Sequence, residues 1–156
     1  MKHARDMIGT APVGHISEVT GLSGMVIACL RHWNRGGAAA ALGLLREHMD
    51  PRQAGASFTA LQDLADTLGN CMRRPLLCHA PHCHHVGSDE AAFARFVEEA
   101  ALGVREDALM LASLLVDARG ILPLTDAAER LGLHLHRAGL CKDRPRIPDP
   151  ASQTRH

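Results

Sequence analysis

Apolar side chains recur at steps of three and four along most of this chain, and no stretch alternates with a period of two for long enough to make a convincing strand. A chain with that rhythm buries its apolar surface as stripes on helices packed against one another. Val19, Leu22, Val26, Cys29, Leu30 and Trp33 share one face of a first helix, with Ser17 as its N-cap and Gly36-Gly37 as an end or break. A second runs from Ala38 to Met49 with Leu42, Leu45 and Met49 on its stripe, and Asp50-Pro51 stops it. The third, Ser57 to Met72, turns Phe58, Leu61, Leu64, Ala65, Leu68 and Met72 inward and ends at Arg73-Arg74-Pro75. Ser88 opens a fourth, with Asp89 and Glu90 in its first turn, where the helix dipole favours negative charge, and Phe93, Phe96, Val97 and Ala100 on its buried side. A fifth covers Arg105 to Ala118, with Val104, Ala108, Leu111 and Leu115 inward. A sixth, Thr125 to His136, aligns Ala128, Leu131 and Leu135 before Gly139.

The fold class that follows is all-α: a single-domain helical bundle of five or six helices, with a Cys/His-rich loop between the third and fourth. Residues 1–15 lack periodicity and read as a flexible N-terminal arm, 16–140 as the helical domain, and 141–156, with Pro145, Pro148 and Pro150 among charges, as a disordered tail. The 156 residues are enough for one domain with a real core. Formal net charge is zero, so there is no basic footprint for nucleic acid, and aromatic content of 3% leaves no stacking surface for single strands. The longest apolar run, Met25 to Leu30, is far too short to span a bilayer, and no signal-peptide stretch follows Lys2 and Arg5. That run covers more than one helix face, which a bundle interior or a homodimer satisfies. A cytoplasmic protein is expected, and in a reducing compartment five cysteines point to metal binding, packing or redox chemistry rather than disulfides.

The chemistry is concentrated in residues 71–85. Seven of these fifteen are Cys or His, namely Cys71, Cys78, His79, His82, Cys83, His84 and His85, against nine in the remaining 141 residues. Zinc takes thiolate and imidazole ligands in a tetrahedron, and Cys ligands are commonly separated by two to four residues. Cys78 and Cys83 have four residues between them, Pro81 favours a turn that brings the flanks together, and His85 follows Cys83 by two. Several sets of three or four ligands among Cys78, His79, Cys83 and His85 can therefore converge, and Cys71, near the end of the third helix, could complete a site from the scaffold side. An exposed His-rich loop with some cysteines packed as small hydrophobes is the plain alternative.

The run Arg73-Arg74-Pro75-Leu76, the Cys/His cluster, Gly87-Ser88-Asp89-Glu90 and, further on, Arg105-Glu106-Asp107-Ala108 resembles a family of small uncharacterised bacterial helical proteins. In that pattern a His precedes two closely spaced Cys and a Gly-x-Asp-Glu. The resemblance implies His79, Cys83 and His85 as the matching positions, His85 standing where the pattern has Cys. It brings no known activity.

Other features carry less. Thr125 to Gly132 is similar to the first half of a helix-turn-helix, but Leu133 to Ala138 is too short for a recognition helix. No phosphate-binding Gly-rich loop, nucleophile elbow or His-Glu-x-x-His is present. Cys29 sits on an apolar stripe and reads as packing. The expected function is therefore a metal-binding, non-enzymatic binding or regulatory protein. The alternatives are a metal-dependent enzyme with an open zinc position and a haem or iron–sulfur sensor using the same cluster.

Overall fold

A computed structural model of the chain describes residues 9–19 and 21–142. It is mostly helical, with five α-helices and one short two-stranded ribbon. Helix α1 spans Gly21–His48, α2 Pro51–Cys71, α3 Ser88–Ala101, α4 Arg105–Leu115 and α5 Ile121–Lys142. The first two sequence-predicted helices are the two halves of α1, broken at Gly37, whose φ of 66° and ψ of −157° lie where only glycine is unstrained. The break resets the buried face: Val26, Ile27 and Cys29 are buried before it, and Ala41, Leu44 and Leu45 after it, with Leu42 only half-buried.

Asp50-Pro51 both ends one helix and starts the next. The Asp50 carboxylate accepts from the backbone N–H groups of Arg52 (2.9 Å) and Gln53 (3.0 Å), and Pro51 occupies the first helical position, where its missing N–H leaves no bond unmade. Helix α2 therefore begins six residues before Ser57. Helix α5 likewise runs past both expected ends, continuous through Thr125–Gly132, so there is no helix-turn-helix. Pro123 falls in its first turn, where proline is tolerated.

The core joins α1, α2, α3 and α5. Leu61, Leu64 and Leu68 of α2, Phe93, Phe96 and Val97 of α3, and Leu124, Ala128, Leu131 and Leu135 of α5 share one core cluster, with α5 packed against both α2 and α3. On α4 only Ala108 and Ala112 are fully buried; Val104, expected inward, is exposed. The apolar run Met25 to Leu30 is covered within the chain: Val26, Ile27 and Cys29 are in the core, and Met25, Ala28 and Leu30 pack against it. Among the described residues no helix is long and apolar enough to cross a membrane.

The segment before α1 departs from expectation. Strand β1 (Pro12–His15) pairs antiparallel with β2 (His85–Gly87), placing Pro12 opposite Gly87, Gly14 opposite Val86 and His15 opposite His85. The Ser88 N–H donates to the Ala11 carbonyl (3.1 Å) and the Ile16 N–H to the His84 carbonyl (2.7 Å). Residues 9–15 are thus bound to the Cys/His loop instead of forming a loose arm. A ribbon this short leaves no alternation to read, and its pairing joins positions seventy residues apart. Residues 1–8 of the expected arm and 143–156 of the expected tail lie outside the described residues; 141 and 142 belong to α5.

Candidate functional site

The loop between α2 and α3 is fixed by two adjacent carboxylates at the start of α3. Gly87 is the N-cap, one residue before the sequence suggested, and Glu90 is the third helical residue. Its carboxylate folds back to accept from the Gly87 N–H (2.9 Å), as in a capping box. It also accepts from the His79 N–H (3.0 Å) and from two nitrogens of Arg31, Nε at 2.7 Å and Nη2 at 2.9 Å. Arg31 reaches across from α1, and its remaining donors go to the loop's own backbone: Nη1 to the Cys83 carbonyl (2.8 Å) and Nη2 to the His85 carbonyl (2.6 Å). Arg31 is 2% exposed and Glu90 0%.

A buried ion pair gives little net stability unless its desolvation is offset by close geometry and further hydrogen bonds. Here those further bonds are all made to loop backbone. Burial works against the charged form of Glu90, but the Arg31 hydrogen bonds, the Gly87 and His79 N–H groups and the Arg31 charge hold its carboxyl below the usual range. Among the described residues, no buried side-chain nitrogen or oxygen lacks a partner.

Asp89 secures the other half of the loop. Arg74 grips it with two parallel bonds of 2.7 Å each, and the Leu77 N–H donates to it at 2.9 Å. The Arg74 hydrogen bond is the main reason that the Asp89 carboxyl is held below its ordinary value; burial opposes it, and the Leu77 N–H and the Arg74 charge add to it. The residues before β1 pass close over this anchor. A Cβ on Gly9 would lie 2.2 Å from an Asp89 oxygen, and one on Gly87 would lie 3.0 Å from the Gly9 carbonyl and 3.3 Å from the His79 ring.

The expected ligands are distributed over this frame and do not meet. Cys71, at the end of α2, packs against Gly120 in the turn before α5, and its carbonyl accepts from the Asp117 N–H (2.9 Å). The Cys78 thiol is half-buried; burial first, then the charges of Glu90 and Asp89, push its pKa up to about 12, with Arg31 opposing. His79 is tied by its ring Nε2 to the Thr10 carbonyl at 3.1 Å; a carbonyl only accepts, so this nitrogen carries the proton. Cys83 is half-buried in the turn after Pro81, and His85 is exposed on β2. Among the described residues no three His, Cys, Asp or Glu side chains converge closely enough to hold a metal ion as they stand.

What the fold does gather is a group of imidazoles that the sequence order hides. His15 of β1 stacks on His84, with ring centres 5.7 Å apart and planes within 3°, and meets His85 edge-on at 6.1 Å. All three are exposed. The His15 Nδ1 is engaged with the Ser17 hydroxyl at 2.8 Å, which leaves Nε2 as its outward nitrogen. Only the pairing of β1 with β2 brings His15 here, and nothing around it in the sequence signals that.

Compared with known proteins, the chain matches no family model, no curated protein and no solved structure.

Proposed function

We propose that this chain is a non-enzymatic binding protein whose Cys/His loop takes up a transition-metal ion, zinc by donor chemistry, on its outer face, with His15, His84 and His85 as the central donors. The observation that carries this reading is the spacing of the His15 ring from those of His84 and His85. Two imidazoles sharing one tetrahedral zinc, each bound at about 2 Å, have ring centres about 5 Å apart. The observed 5.7 and 6.1 Å are close to that distance. The nitrogens do not yet point at a common centre, so capture needs rotation of exposed side chains. The backbone beneath them needs no movement, since Arg31 and Glu90 hold the carbonyls of Cys83 and His85 and the N–H groups of His79 and Gly87.

This reading keeps His85, adds His15 and His84, and does not use Cys71, which packs at the α4–α5 junction, or the half-buried Cys78; Cys83 and the Nδ1 of His79 stay as candidates for a further position. Three imidazoles leave a fourth position open, as in catalytic zinc sites. These three, however, lie exposed at one end of the ribbon, His84 in the bend just before β2, where nothing excludes water from a bound reactant, and that favours uptake or sensing over catalysis. Zinc titration by calorimetry on untagged protein tests the proposal. One ion per chain is expected, with affinity falling as pH drops because protons compete for the ligand nitrogens. His84→Ala is expected to weaken binding at least roughly tenfold, while Cys71→Ser leaves it unchanged; the reverse pattern would restore the original ligand set.

A further inference from the structure

A second site lies on the inner side of the loop, independent of the imidazoles. A cavity of ≈230 Å³ opens between α1, α2 and residues 72–78, walled by side chains such as Leu30, Trp33, Leu64, Leu68 and Phe93. A polar recess of ≈360 Å³ formed by Arg31, Asn34, Arg35, Cys78, His79 and the Ala80-Pro81 turn adjoins it as its mouth, and Asn34 and Cys78 border both spaces. The inner part is larger than the roughly 150 Å³ apolar cavity that suffices for a benzene ring, and at about 30 Å³ per small group it accommodates about eight carbons.

The mouth has one uncommitted charge. Arg31 is neutralised by Glu90 and saturated by the loop. Arg35, one turn further along α1, is exposed and has no hydrogen-bond or ion-pair partner among the described residues, and the same holds for the Asn34 side chain. An apolar chamber with a few placed polar groups at its rim is the usual form of a small-molecule site.

We infer that this chamber binds a small amphipathic carboxylate, a medium-chain acyl or monocyclic aryl acid, with its apolar body among Leu30, Trp33 and Leu68 and its carboxylate at Arg35 and Asn34. Guanidinium–carboxylate pairing fixes the polar end, and chamber volume limits the length of the apolar end.

Trp33 is the only tryptophan in the chain and lines the chamber, so its fluorescence reports occupancy directly. Full-length protein is titrated with octanoate and with octanol, its uncharged counterpart. Octanoate is expected to shift Trp33 emission saturably and to bind more tightly than octanol. Arg35→Gln, at an exposed position, is expected to weaken octanoate roughly tenfold and leave octanol unchanged. Gly69→Leu tests the chamber itself: Gly69 is an exposed residue on its α2 border with open space at its Cβ position, so leucine there narrows the chamber at its rim while replacing a poor helix former. It is expected to abolish both responses while keeping or raising Tm. Absence of any octanoate response, or equal binding by Arg35→Gln, would overturn the carboxylate assignment. Undiminished binding by a folded Gly69→Leu would overturn the chamber as the site.

Discussion

Replacing Glu90 by Gln tests whether the buried pair is the anchor of the loop. The carboxylate accepts four hydrogen bonds, from Arg31 Nε, Arg31 Nη2 and the backbone N–H groups of His79 and Gly87. An amide of the same shape offers one oxygen to those four donors, turns an NH2 group toward the others and leaves the Arg31 cation buried without its counter-charge. Breaking a buried pair from one side destabilises by about 3–5 kcal/mol. For a chain of this size that corresponds to a fall in Tm of roughly 10 °C. Thermal unfolding followed by far-UV circular dichroism gives the global value, and amide exchange at His79 and Gly87 gives the local one; both amides are expected to lose protection. The double variant Arg31→Met/Glu90→Leu adds a sharper test. Swapping a buried pair for apolar residues is often neutral or stabilising. Here it would strip partners from the His79 and Gly87 N–H groups and from the Cys83 and His85 carbonyls, each worth about 1–3 kcal/mol when buried. The double variant should be no more stable than Glu90→Gln. Recovery to within about 1 kcal/mol of the native protein would refute the reasoning, reducing the pair to an ordinary ion pair with no role in holding the loop.

Acid should loosen the loop. Asp89 and Glu90 both have native pKa values below their ordinary ones, so the stability they contribute is complete above the ordinary carboxyl range and is lost as pH falls through the lower native values; the protection of the Leu77 and His79 amides, relative to their intrinsic exchange rates, should fall in that window and stay flat above it. Gly37→Ala places a side chain at positive φ and should lower stability by about 1 kcal/mol or more, whereas Gly43→Ala, in the same helix with open space at its Cβ position, should be neutral or stabilising; denaturant titration of both variants separates backbone strain from propensity. The Cys78 thiol, with its pKa at about 12, should react slowly with an alkylating reagent at neutral pH, and faster in Glu90→Gln, which removes a negative charge that raises it.

Much of the bundle could be read from the sequence because a helix stripe is local. Leu61, Leu64 and Leu68, or Phe93, Phe96 and Val97, reveal their shared face within two turns, and the break at Gly36-Gly37 could be placed because consecutive glycines interrupt a helix wherever they occur. Helix starts were harder. Asp50-Pro51 reads as a stop from one side and a cap from the other, and only packing of Ala54 and Ser57 against the core shows that both apply. The site was legible as a place and not as an arrangement. The density of Cys and His marked residues 71–85, but ligand spacing within the loop could not reveal that Cys71 belongs to the α4–α5 junction or that Cys78 faces an apolar chamber. Asp89 and Glu90 carried a visible capping signal, whereas their partners Arg74 and Arg31 lie fifteen and fifty-nine residues away. His15 depended on a strand pairing of three to four residues on each side, too short for any periodic signature.

The central claim, that the fold gathers His15, His84 and His85 into a metal-binding group, is tested most directly by zinc calorimetry on untagged protein and its His84→Ala and Cys78→Ser variants, each checked for native circular dichroism. The account predicts one zinc per chain for the native protein, binding at least roughly tenfold weaker for His84→Ala, and native affinity for Cys78→Ser. No saturable binding by the native protein, or loss of binding in Cys78→Ser with His84→Ala unaffected, would contradict it.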